Sequence, residues 1–413
     1  MVKKRKIKYL KGKGISKVST VPDQLTLDRN QHLEYYENIV YQCGKCGTCR
    51  TAYQDSWAPI CPSGDFGKFE SYYLGGKNLL AWAITSGKLD WTESLAKIYY
   101  HCSLCLACTQ QCQIAEIHHY AGEWLMAMRE EAVRKGFGPM PEHARYTEHI
   151  TKEHNPYMEK HEERLNWLPK NIQQSPNATT AFFVGCTSSY REQGVAIATA
   201  EILNSLKVEF RILQDENCCG SPVYMTGQAE LAKQIAETNV KSYKDAGIEK
   251  IITACAGCYR AWKEVYPEKY GLDHGIEIVH LPEFILSKLD ANELQFSKEI
   301  NMKITYHDPC HIGRHMGVYK PPREVLEKIP GVELVEMVRN RHNAWCCGSG
   351  GGVRSAFKDL SSFAANKRIE EAKETTAQAI VSCCPFCLNQ FKNNIKNKEI
   401  TALDLAELVK KAI

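Results

Sequence analysis

Nineteen cysteines fall in tight groups along 413 residues, and their spacing constrains this chain more than any other feature. An exported protein would pair them as disulfides. Nineteen is odd, however, and no apolar leader opens the chain, so reduced thiolates that bind metal are the better reading. Cys43, Cys46 and Cys49 stand at C-x2-C-x2-C and are followed by Cys61-Pro62, while Cys102, Cys105, Cys108 and Cys112 stand at C-x2-C-x2-C-x3-C.

Three thiolates two residues apart wrap one loop around three corners of a cube, and in two-cluster ferredoxins the fourth ligand comes from the other motif. The spacing therefore assigns Cys43, Cys46, Cys49 and Cys112 to one cubane [4Fe-4S] cluster and Cys61, Cys102, Cys105 and Cys108 to a second. Zinc sites normally use two C-x2-C pairs, not two triplets with distant fourth cysteines. One departure is Gln113 after Cys112, where proline is usual.

A repeat follows. Cys186, the pair Cys218-Cys219, and Cys255 with Cys258 recur as Cys310, Cys346-Cys347, and Cys384 with Cys387, at near-constant offsets of 124, 128 and 129 residues. A duplicated module is implied, each copy with a glycine after its pair, Gly220 and Gly348. Five thiolates exceed the four that a cubane takes. Cys383 is left over, with Ala254 at the matching place, and is read as a packed non-ligand.

From Leu33 to Lys135 the pattern is helical, with amphipathic stretches at 77–84, 91–100 and 120–134. Residues 136–180 turn polar and proline-rich and read as a linker or wrapping segment. Beyond them short apolar runs alternate with helices: 181–184, 208–213, 251–253, 276–280, 304–307, 332–337 and 379–382, which argues for α/β layers. The expected fold is a multi-domain α+β chain: a basic arm (1–30), a helical two-cluster domain (31–135), a linker (136–180) and two duplicated α/β modules (181–300 and 301–413).

With 44% hydrophobic and 24% charged residues the chain has the composition of a soluble globular protein. Its longest apolar stretch, near Leu79 to Ile84, falls well short of the roughly 18 residues of a membrane span. Lys3, Lys4, Arg5, Lys6 and Lys8 form a basic arm, but the net charge of +4 is too small to point to nucleic acid. A cytoplasmic location is expected. No G-x-G-x-x-G pattern is present, so a dinucleotide site is excluded and electrons must arrive from a partner.

The segments Glu216 to Gly220 and Trp345 to Gly348 match the cysteine-rich domain called CCG. Together with the ferredoxin-type motifs and the stretch Tyr306 to Arg314, the chain resembles the family of catalytic D subunits of methanogen-type heterodisulfide reductases. The resemblance implies that each five-cysteine set, Cys186, Cys218, Cys219, Cys255, Cys258 and Cys310, Cys346, Cys347, Cys384, Cys387, holds a noncubane [4Fe-4S] cluster. It also implies that the disulfide of coenzyme M and coenzyme B is reduced between the two sets, and that a membrane cytochrome b subunit supplies electrons on the cytoplasmic face, with a soluble flavoprotein donor as runner-up.

Arg191, Arg314 and Arg354 are the candidates for the anionic substrate groups. His307 and His311 flank Cys310 and are the candidate proton donors. Two rivals are weighed. Dithiol exchange through Cys255 and Cys258 would need no duplicate. An iron-sulfur relay subunit of a glycolate or lactate dehydrogenase complex shares the layout.

Overall fold

The computed structural model describes residues 33–53, 56–396 and 399–413. The basic arm lies outside them. Among the described residues no helix is long and apolar enough to cross a membrane.

The N-terminal domain is a packet of helices broken by cysteine loops. Helix Ala115–Arg134 runs through its middle, and Ile117, Ala121, Trp124, Leu125 and Met128 on one face are buried, at the i, i+4, i+7 spacing of an amphipathic helix. Helix Glu93–Tyr100 packs against it; Thr92 caps this helix through a hydrogen bond from the Leu95 N–H at 3.2 Å. All three expected helical stretches are present: 77–84 and 120–134 extend to Leu74–Thr85 and Ala115–Arg134, and 91–100 shortens to Glu93–Tyr100.

Each module that follows is built on a parallel sheet. β1 (Thr180–Phe182), β2 (Lys250–Thr253) and β3 (Glu277–His280) lie in that order. In the second sheet β4 (Met302–Tyr306), β5 (Val332–Val335), β6 (Ala379–Ser382) and β7 (Thr401–Asp404) take the order β5-β4-β6-β7. Parallel strands need helical crossovers that cover both faces, which is why β6 is buried at every position.

Two expectations change. The run 208–213 contributes one bridge, Ala181 to Arg211, instead of a strand, because its neighbouring groups bond elsewhere: the Phe210 carbonyl accepts from Ser175 and the Ile212 N–H donates to Gln174 Oε1. β7 adds a strand that the apolar pattern does not announce, since Thr401 and Asp404 leave it little apolar signal.

The two modules are related by an approximate twofold. The helix after β3, Leu281–Asp290, packs on Lys320–Glu327, which follows β4; the helix after β7, Leu405–Ala412, packs on Gln193–Ser205, which follows β1. Leu405, Leu408 and Val409 are fully buried there, each contributing about 1.5–3 kcal/mol of apolar burial. Both sheets share one continuous core. The segment read as a linker is structured: helix Pro141–Glu153 and the loop beyond it lie on the first module and across toward the second, where His143 Nε2 meets the Gly352 carbonyl at 2.8 Å.

Candidate metal centres

All nineteen cysteines are unpaired. In the N-terminal domain the chain brings Cys112 beside Cys43 and Cys46, and burial together with those two thiols pushes the Cys112 thiol up. Cys61 is brought beside Cys102 and Cys105; burial pushes it up to about 12, Lys77 opposing and the two neighbouring thiols adding to the rise. Cys49 lies between the groups, also raised to about 12 by burial, with Cys61 and Cys43 as neighbours. Such crowding of buried sulfurs disfavours free thiolates and is relieved by a shared positive centre, so the donor set fits iron. The outer group reaches the surface through Cys46, whereas Cys105 and Cys108 of the inner group are buried.

The module cysteines stand where parallel strands end. Cys186 opens the turn Cys186–Tyr190 after β1, Cys255 caps Ala256–Arg260 after β2, and Cys384 caps Pro385–Asn394 after β6. Cys310 precedes the turn His311–His315 after β4. The carboxyl ends of the strands thus converge on a crevice, the usual ligand position in such sheets.

Within each set the sulfurs touch: Cys387 Sγ lies 3.3 Å from Cys347 Sγ. Contacts with neighbouring sulfurs, reinforced by burial, push Cys218, Cys258 and Cys387 well above the ordinary thiol value. Glycine shapes the cradle at Gly185, where φ is +77° and a Cβ would sit 2.9 Å from Cys258 Sγ. Gly348 likewise has φ +85° and no room for a Cβ, which would meet Ala364 and the Ser361 carbonyl at 2.7 Å. Sulfur-rich pockets cleared of side-chain bulk fit iron-sulfur groups.

The four sulfur groups are adjacent in series. Cys105 of the inner ferredoxin-type group interacts with Cys346 of the second module, and Ser103 Oγ donates to Cys346 Sγ at 3.5 Å. Cys384 of that module interacts with Cys255 of the first. Both module sets open on one cavity of about 410 Å³ between them.

Arg191, Arg354 and His311 line this cavity. Arg191 lies over the Tyr157 ring at 4.7 Å and pairs with Glu159 at 2.6 Å; Arg354 donates to Asn389 Oδ1 at 2.6 Å. Burial and Arg260 push the His311 imidazole down to about 3, so it is neutral at physiological pH.

Two expectations are corrected. Arg314 is not on the cavity: its turn aims it at the ferredoxin-type domain, where Nε donates to the Cys105 carbonyl, while Nη1 donates to the carbonyls of Ala344 and His342 in its own module. His307 is not on it either. It stands behind Cys347, and its Nδ1 accepts from Arg368 Nε at 3.1 Å.

Gly220 and Gly348 terminate the cysteine pairs in left-handed backbone. Cys383 is buried, with its Sγ 2.8 Å from the Tyr306 hydroxyl. Sequence reasoning misses Tyr146 and Tyr157 of the cavity wall, because they reach it from the supposed linker. It also misses Arg164, whose Nη1 and Nη2 approach Cys186 Sγ at 3.7 and 3.8 Å while Nη2 pairs with Glu216.

Fold and site together define an iron-sulfur oxidoreductase with a two-cluster domain and a duplicated cysteine-rich domain. Residues 39–115 match the family model of the 4Fe-4S dicluster domain, and residues 180–262 and 304–392 that of the cysteine-rich CCG domain. The D subunit of the dihydromethanophenazine:CoB--CoM heterodisulfide reductase of Methanosarcina mazei is 38% identical over 318 residues, covering 76% of this chain and 77% of that one. The B subunit of a fumarate reductase (CoM/CoB) of Methanothermobacter marburgensis is 30% identical over 75% of this chain and 60% of its own. An EtfAB:quinone oxidoreductase of Syntrophomonas wolfei is 30% identical over 76% and 46%.

The chain belongs to the family of heterodisulfide reductase D subunits. It carries [4Fe-4S] clusters, noncubane ones included. Among solved structures, an aspartate racemase of Picrophilus torridus aligns over 57% of this chain and 94% of its own, but its TM-score of 0.28 and 14% identity carry no argument.

Proposed function

We propose that this chain is the catalytic subunit of a heterodisulfide reductase, converting the coenzyme M–coenzyme B disulfide into two thiols. The balance is one disulfide, two electrons and two protons in, and two thiols out. The functional units are 31–135, 181–300 and 301–413. The first holds two cubane clusters on Cys43, Cys46, Cys49, Cys112 and on Cys61, Cys102, Cys105, Cys108, and each module holds a noncubane cluster on its five cysteines. Bound there, the clusters supply single electrons and iron soft enough to accept sulfur.

The observation that carries the reading is the cavity: all five cysteines of the first set and Cys310, Cys347, Cys384 and Cys387 of the second line the same 410 Å³, and a protein that only relays electrons has no use for such a chamber. Arg191 and Arg354 hold the anionic ends of the substrate at the wall. Tyr146, Tyr157 and Phe386 narrow the chamber and exclude water. His311, neutral in its buried position, presents an imidazole N–H donor to a departing sulfur. Electrons come from a membrane cytochrome b partner docked on the N-terminal domain.

The test is anaerobic purification followed by reduction of the mixed disulfide with a viologen dye as donor. Release of two thiols per disulfide supports the proposal. Reduced clusters without thiol release would make the chain an electron relay instead.

A further inference from the structure

Three cations are buried around the inner ferredoxin-type sulfur group. Lys77 is 2% exposed, Arg129 0% and Arg314 9%. Each stands one carbonyl or hydroxyl away from a cysteine of that group. Arg129 donates to the Cys102 carbonyl and Arg314 to that of Cys105; Lys77 donates to the Tyr72 carbonyl, which Cys61 Sγ also approaches at 3.9 Å, and to Ser63 Oγ at 3.3 Å.

Among the described residues none of the three has a carboxylate partner; their other acceptors are backbone carbonyls such as Met225, Gly351 and Ala344. Asp65, the acid nearest Cys61 in the chain, is occupied by Lys68 and Lys367. Buried charge without a counter-charge is costly, so the anions that balance these groups are the thiolates of the inner group, joined at Arg314 by Cys310 and Cys346 of the second module.

The outer group differs. The charged neighbours of Cys49 and Cys112 are other thiols and Glu70, and Glu70 is paired at the surface with Arg50. Cys46 is open to water.

We propose that Lys77, Arg129 and Arg314 are counter-cations that hold the inner cubane cluster at a higher reduction potential than the outer one, making the step toward the modules downhill. This rests on the ligand assignment proposed above. The added electron makes a cluster more negative, and nearby positive charge in dry surroundings favours that form with little screening. Water at Cys46 favours reduction of the outer cluster too, but its dipoles reorient around one ligand, whereas three whole charges are fixed around the inner group.

The test is a redox titration of the intact, cluster-loaded chain followed by electron paramagnetic resonance. Cys61→Ser and Cys112→Ser assign the inner and outer signals. If neither changes iron content or spectrum, the ligand assignment fails, and the present inference with it. With the signals assigned, the wild-type inner midpoint lies above the outer one; an inner midpoint at or below the outer overturns the inference while the ligands stand. Lys77→Gln and Arg314→Gln each lower the inner midpoint and leave the outer one in place, and Arg314→Lys restores most of the loss. Full iron content with an unmoved inner midpoint in both glutamine variants overturns the inference.

Discussion

The two modules share their sulfur positions but little of what surrounds them. In the second, β4 runs into Tyr306-His307-Asp308-Pro309 before its cysteine; in the first the matching residues are Phe182-Phe183-Val184-Gly185. Asp308 is held by both Nη atoms of Arg323 at 2.7 and 2.9 Å. In the first module the same structural task falls to Glu216, which accepts from the Val184 and Gly185 N–H groups at 2.8 and 2.9 Å. His280 and Asp404 occupy matching caps at the ends of β3 and β7.

Among the described residues it is the second module that reaches the ferredoxin-type cysteines, through Cys346 and through Arg314 at the Cys105 carbonyl. Duplication thus preserved the nests of thiolates and let their polar surroundings diverge. The copies are therefore not interchangeable, and the divergence is where they can be told apart.

The largest effect falls on the first module alone. Arg164 and Glu216 form a fully buried ion pair, and Arg164→Met strands the carboxylate in a dry site at a cost of about 3–5 kcal/mol. Denaturant unfolding of the loaded protein measures it; a cost below about 1 kcal/mol would mean that Glu216 is satisfied by the two backbone N–H groups without the guanidinium.

Next come the glycines that close the cysteine pairs. At Gly348 a methyl group would strike the Ser361 carbonyl and Ala364 at 2.7 Å, whereas at Gly220 its closest contact is Ile235 Cγ2 at 3.3 Å. Both have positive φ. Gly348→Ala should cost about 2–3 kcal/mol and Gly220→Ala about 1 kcal/mol. Equal losses in melting temperature would erase this distinction between the copies.

Acid separates them further. Burial opposes the charge on Glu371, but Arg368 and Arg339 outweigh it and hold the carboxyl below its ordinary 4.5. A depressed folded value means that the stabilisation is complete above 4.5 and is lost as pH falls through the lower folded value. The contact of Glu371 with Arg339 and Arg368 therefore loosens in acid, and Glu371→Gln removes that contribution from unfolding curves measured from pH 7 down to pH 3. A variant as acid-sensitive as the wild type would place the titrating group elsewhere.

Much of this was written in local spacing. Cysteines two or three residues apart declare themselves, as do four-residue apolar runs such as Ala379–Ser382. Proximity in sequence misled at Arg314, because a single turn after Cys310 sends the side chain away from the cavity and into the neighbouring domain. Arg164, Tyr146 and Tyr157 carried no signal at all, since their distance from any cysteine motif along the chain hides a contact made only when the segment folds over the first module.

The smallest prediction is also the sharpest test of paired divergence. Tyr306 and Cys383, joined at 2.8 Å, stand where the first module has Phe182 and Ala254, both buried in its core. Tyr306→Phe leaves the buried thiol without its partner and should cost about 1 kcal/mol. Adding Cys383→Ala installs the pair that the first module already tolerates. Because both polar groups then disappear together, the double variant should cost no more than the tyrosine change alone, and a double-mutant cycle should return a coupling of roughly 1 kcal/mol. On the proposed ligand assignment, which leaves Cys383 out, iron content stays constant throughout. Additive costs would mean that the hydroxyl and the thiol were never partners, and lost iron would count Cys383 among the ligands.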